Sequence, residues 1–145
     1  LTRVIDELQK PNGILITPDD RTLYLVDHNP EPGGARTLVQ YDTANDGSWH
    51  FTRTLADFGT DHGGDGMALD VEGNIYLTAG SGEKAGVYVI APDGTQLGFI
   101  ATGEIAGNCT FGGPDLQTLY IAASTSLYRI RLAIPGQLVW PLLGL

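Results

Sequence analysis

The chain has 145 residues, 42% hydrophobic and 17% charged, a composition that excludes an intrinsically disordered protein. Its formal net charge of −9 repels phosphate backbones and argues against a nucleic-acid partner. No apolar run is long enough to cross a bilayer as a helix, and the single cysteine, Cys109, excludes an internal disulfide or a Cys/His zinc centre and reads as a buried structural thiol.

The 20 glycines and 8 prolines punctuate many short apolar runs, the pattern of an all-β chain. Leu1 to Leu8 reads as a strand centred on Val4 and Ile5, the outermost strand of a unit whose other strands lie elsewhere. Ile14-Leu15-Ile16 is a continuous apolar run, expected to be buried on both faces. Pro18-Asp19-Asp20-Arg21 is a turn, and Leu23 to Asp27 the next strand. A Pro/Gly-rich loop from His28 to Ala35 leads to a strand over Thr37 to Asp42. Asn45-Asp46-Gly47 is a hairpin turn, and Trp49 to Leu55 alternates as a half-buried strand.

The same order then repeats. Met67-Ala68-Leu69 is followed by the turn Val71-Glu72-Gly73-Asn74, the strand Ile75 to Ala79 and the loop Gly80 to Gly86. Val87 to Ile90 and Leu97 to Ala101 complete that unit around Pro92-Asp93-Gly94. A third unit runs from Asn108 through Thr110-Phe111, Gly113-Pro114-Asp115, Leu119 to Ala123 and Leu127 to Leu132. Ala133 to Leu145 is an apolar tail without an assignment.

Four short strands recurring about every 40–50 residues is the signature of a β-propeller blade. A blade must cover both of its faces with neighbours, and natural rings have four to eight blades. Residues 1–132 are therefore expected to form three four-stranded blades, the C-terminal half of a larger propeller whose N-terminal half lies outside this sequence. The chain begins with Leu1 and its first residues do not resemble a signal peptide, so the compartment stays open.

Each unit carries a short polar residue before its first strand: Asn12, Asp65 and Asn108. In a propeller these positions face one another at one mouth of the central channel. Carboxylate and amide oxygens so arranged suit a hard cation such as Ca²⁺ or Mg²⁺. The same residue types are also ordinary turn formers that bond their own backbone, which is the better reading of Asn108. His62, just before Gly63-Gly64-Asp65, can reach the same mouth. No nucleophile elbow or phosphate-binding loop is present. Asn108-Cys109-Thr110 fits the glycosylation pattern.

Pro11-Asn12-Gly13-Ile14 with Pro18-Asp19 and Leu23-Tyr24-Leu25-Val26-Asp27 resembles a hallmark of the SMP-30/gluconolactonase family. Asp65-Gly66-Met67-Ala68-Leu69-Asp70 with Gly73-Asn74-Ile75-Tyr76 resembles a second. Asn108 to Asp115 with Leu119-Tyr120-Ile121 and Leu127-Tyr128-Arg129-Ile130 is similar to its closing blade. The resemblance implies a six-bladed propeller about twice this length that hydrolyses sugar lactones with water activated by one divalent cation in the channel. Ca²⁺ is the expected ion, with Mg²⁺, Mn²⁺ and Zn²⁺ as alternatives. It places metal ligands at Asn12 and Asp65 and a general base at Asp65. The family's glutamate ligand and a substrate-contacting Asn have no counterpart in this sequence, and the piece alone, with an unpaired edge and an unburied face, is expected to be inactive or unstable. A propeller hydrolase of phosphotriesters or other esters, and a non-catalytic binding propeller, are the competing readings.

Overall fold

The computed structural model describes residues 1–138. Eleven strands form three antiparallel sheets in chain order, with one short 3₁₀ turn at Gly82–Lys84. The first sheet holds β1 (Pro11–Ile16), β2 (Thr22–His28), β3 (Arg36–Thr43) and β4 (Trp49–Asp57). The second holds β5 (Met67–Leu69), β6 (Ile75–Ala79), β7 (Gly86–Ile90) and β8 (Gln96–Ala101). The third has three strands, β9 (Ala106–Gly112), β10 (Thr118–Ala123) and β11 (Leu127–Arg131). Each sheet is a meander whose first strand lies innermost, and β5 sits beside both β1 and β9. The described residues thus form three consecutive propeller blades, two with four strands and the third with three.

Period-two alternation explains how the blades stack. On β2, Tyr24 and Val26 point into the layer shared with the second blade, while Leu23 and Leu25 point to the opposite face. The first layer joins Leu15, Tyr24, Val26, Leu38 and Leu55 to Met67, Leu69, Ile75, Leu77, Ala79 and Ile90. The second joins Tyr76 and Val87 to Ala106, Cys109, Leu119 and Ile121. All five residues of β6 are buried because both faces of the middle blade are covered.

At three places the structure differs from the sequence expectations. Residues 1–8, whose expected partner strands lie outside this sequence, pair with no strand here; they run across the face of the first blade opposite the second, where Ile5 and Leu8 pack on Leu23, Leu25, Val39 and Tyr41. The buried Asp27 carboxylate ends this segment by accepting hydrogen bonds from the Gln9 and Lys10 amides at 2.9 and 2.7 Å. The run Ile14-Leu15-Ile16 is not buried on both faces here: Leu15 enters the layer shared with the second blade, while Ile14, paired with Leu25, lies on the opposite face, which no described blade covers, and is 65% exposed. Nor is β4 half-buried. Leu55 is its one buried residue; β4 is the outermost strand and meets the second blade through Leu55 and through Arg53 Nη2, which donates to Pro92 O at 2.7 Å.

The tail also has a place as far as residue 138; residues 139–145 lie outside the described part. Gly136 forms a bridge with Asp70, extending the free edge of the second blade. Val71 N–H donates to Pro135 O at 2.9 Å, Gln137 N–H to Leu69 O at 2.8 Å, and Gly136 N–H to Leu116 O at 2.8 Å. The segment therefore ties the second blade to the third at the end of β5 away from Asp65.

Candidate functional site

The polar residues expected before the blades' first strands come together. Asn12, Gly13, Ile14, Asp65, Gly66, Met67, Gly107 and Asn108 line one cavity of about 380 Å³. Asp65 lies two residues before β5, whereas Asn12 and Asn108 fall inside β1 and β9 instead of before them, so three adjacent blades contribute. Two glycines permit this closeness. A Cβ on Gly13 would overlap the Asp65 backbone carbonyl, and one on Gly66 would overlap the Asn108 side chain. Only a residue without a side chain lets those backbones approach.

Backbone bonds fix Asp65 itself. Its N–H donates to Thr78 O at 2.8 Å. The Gly66 N–H that follows donates to Gly107 O and to Thr78 Oγ1, both at 3.0 Å. The carboxylate is consequently held on a rigid element and remains 28% exposed, open to water from the cavity. Asn12 Nδ2 donates to Asp65 Oδ1 in a short contact. Asn108 Oδ1 accepts the Cys109 N–H at 2.9 Å, the local bond expected of a turn former, yet its side chain still forms part of the cavity wall.

His62 stands behind Asp65. Its Nε2 is 3.7 Å from Asp65 Oδ2, is buried, and has no hydrogen-bond partner among the described residues. The His28 ring meets it edge to face, with centroids 4.5 Å apart and planes 78° apart. Burial, followed by the neighbouring His62, pushes the His28 pKa below the usual histidine value, against an opposing pull from Asp65. The sequence places His62 near the mouth; nothing in it marks His28, which comes from a different blade.

The rim beyond His62 is tied down by Asp61. Its carboxylate accepts hydrogen bonds from Ser81 Oγ at 2.8 Å and from the His62 N–H at 2.8 Å, with Lys84 Nζ 3.2 Å away. Ser81, the His62 amide and Lys84 hold that carboxyl down at about 2. Cys109 is buried in the second core layer with its Sγ donating to Tyr76 O at 3.2 Å, and burial pushes the thiol up to about 12, as befits an inert packing residue.

Among the described residues no three His, Cys, Asp or Glu side chains cluster as a metal shell. The pair Asn12 and Asp65 nevertheless fits part of a hard-cation site. Both bring oxygen, the donor such ions prefer, and a turn of the Asn12 amide exchanges its Nδ2 for Oδ1 facing the same space. The remaining donors would come from other blades or from water.

A family model described as "SMP-30/Gluconolactonase/LRE-like region" matches residues 1–125. A protein named gluconolactonase from Zymomonas mobilis is 33% identical over 140 residues, which cover 86% of this chain and 35% of that protein. Lactonohydrolase oryH of Aspergillus oryzae is 32% identical over 92% of this chain and 32% of its own length. The solved structure of XC5397 from Xanthomonas campestris, described as a gluconolactonase, superposes with a TM-score of 0.72 at 32% identity, covering 94% of this chain and 40% of that one. The chain spans about a third of the length of the curated relatives it matches.

Proposed function

This chain belongs to the SMP-30/gluconolactonase/LRE-like family, and from that membership we propose that the full-length protein is a hydrolase that opens sugar lactones at the Asn12–Asp65 mouth of its channel. The observation that carries the reading is the meeting of Asp65 with Asn12 from the adjacent blade in a water-accessible cavity lined by backbone and amide groups.

Asp65 acts as general base. A water in the cavity lies within reach of its carboxylate, gives up a proton to it, and attacks the lactone carbonyl carbon. The ring C–O bond then breaks, and the proton returns to the departing alkoxide to yield the hydroxy acid. Asn12 holds the carboxylate in place and offers its amide to the substrate or the ion. A divalent cation bound by Asn12 and Asp65, with Ca²⁺ as first choice, would supply electrophilic polarisation of the lactone carbonyl. Sugar lactones are small and polar, which suits the carboxylate, amide and backbone groups that line this mouth.

The test is proton release from gluconolactone by the full-length protein, with and without a chelator. Hydrolysis that falls with chelator and returns with Ca²⁺ supports the reading. An unchanged rate removes the cation from it, and turnover of phosphotriesters but not lactones replaces the substrate class.

A further inference from the structure

The loop His62-Gly63-Gly64-Asp65 is pressed between two blades. A Cβ on Gly63 would crowd the His28 ring and Arg36 Cβ at 3.1 Å, and one on Gly64 would crowd Leu77 at 2.9 Å and Val26 at 3.2 Å. Both ends are pinned: Gly80 N–H donates to His62 O at 2.9 Å, and Asp65 N–H donates to Thr78 O at 2.8 Å. So tight a bracket leaves the His62 ring little freedom, and the edge of His28 fixes its plane. The consequence is a buried imidazole nitrogen, Nε2, with no hydrogen-bond partner among the described residues and with Asp65 Oδ2 at 3.7 Å. A buried polar atom without a partner costs free energy, and such groups concentrate where function requires them.

Asp65 thus has two differently employed oxygens. Oδ1 meets Asn12, and Oδ2 faces His62. We propose that His62 is a positioning residue for Asp65: its Nε2–H takes Oδ2 and holds the carboxylate turned so that Oδ1 serves the cavity. The inference rests on the reading of Asp65 as the working carboxylate. A movement of about 0.7 Å brings the pair within hydrogen-bond range, and such bonds commonly tighten when substrate fills the site. His28 supports the arrangement from β2, so the orientation of a residue on the second blade depends on a ring from the first.

The experiment uses the full-length protein with His62→Phe, which keeps a ring against His28 but removes the nitrogen, and His62→Gln, which restores an N–H donor. His62→Phe is expected to lower kcat on gluconolactone at least ~10-fold with KM changed less than ~3-fold, and His62→Gln to return kcat to within ~3-fold of wild type. Wild-type kcat in His62→Phe, or a folded His62→Gln with kcat down ~10-fold, overturns the proposal. Should His62→Phe not fold, His62→Gln alone decides by the same limits. Crystal structures of wild type and His62→Gln carry the test without any turnover. A side-chain donor on Asp65 Oδ2 in both supports the role, and Asp65 Oδ2 unbonded to residue 62 in both overturns it. If the wild-type protein opens no lactone, the proposed activity fails while this structural comparison still judges His62.

Discussion

Asp65 concentrates the chemistry at the residue scale. It is placed by backbone bonds, faces Asn12 and His62 with separate oxygens, and stays open to water. Asp65→Asn in the full-length protein removes the proton acceptor while keeping shape, and turnover should fall at least ~10-fold, about 1.4 kcal/mol on the barrier. Initial rates of lactone hydrolysis measure it; wild-type turnover in that variant would sink the assignment. Gly13 is the second sensitive position. Gly13→Ala puts a methyl group into the Asp65 backbone carbonyl, so β1 must move away and Asn12 with it. A loss of roughly 2 kcal/mol in denaturant unfolding is expected. Asp61 allows a pH statement. Its folded value of about 2 lies below the ordinary 3.8, so its contribution to stability is fully present above 3.8 and is lost as pH falls through about 2. Amide-exchange protection in the Ser81–Lys84 segment should therefore be flat at neutral pH and decline only on strong acidification.

At the scale of the element, the turn between β5 and β6 shows how one buried acid organises a hairpin. Asp70 is 1% exposed and accepts from the Glu72 and Asn74 amides and from Asn74 Nδ2, all at 2.9 Å, with Tyr76 Oη at 3.3 Å. Burial, and then the Asp70 charge, push the Tyr76 phenol up to about 12, so it stays a donor. Asp70→Ala leaves these donors without an acceptor and should cost about 3 kcal/mol. Because residues 135–137 also bond to Leu69 and Val71, the same variant is expected to loosen the tail, which limited proteolysis after Leu132 would register.

For the whole molecule, stacking is both the source of stability and the point of weakness. The middle blade is covered on two faces, while the third exposes Leu127 at 74% and, among the described residues, β11 has no partner on its outer edge. The outer edge of β4 is likewise unpaired, with Phe51 52% exposed. Unpaired edges and bare apolar faces invite association. Residues 1–145 expressed alone should self-associate in sedimentation at micromolar concentration and open no lactone. A monodisperse, cooperatively unfolding, active monomer would contradict the assignment of these blades to a larger ring.

The periodicities of this sequence determine its strands, turns and blade repeat, because alternation and Gly/Pro/Asn/Asp punctuation are local properties of the chain. They also place Asn12, Asp65 and Asn108 at equivalent positions, from which a shared cavity follows once the units stack. Alternation says that a face is apolar and not what covers it. Hence Leu1 to Leu8, without partner strands in this sequence, lies as a strap over the first blade, and Ile14 stays exposed on the face of that blade that no described blade covers. The tail had no local signal because its bonds go to β5 and to Leu116, far away in the chain. The partnership of His28 with His62, and the bare Nε2 facing Asp65, arise only where two blades meet. Contacts between elements depend on packing in three dimensions, and no pattern within either element encodes them.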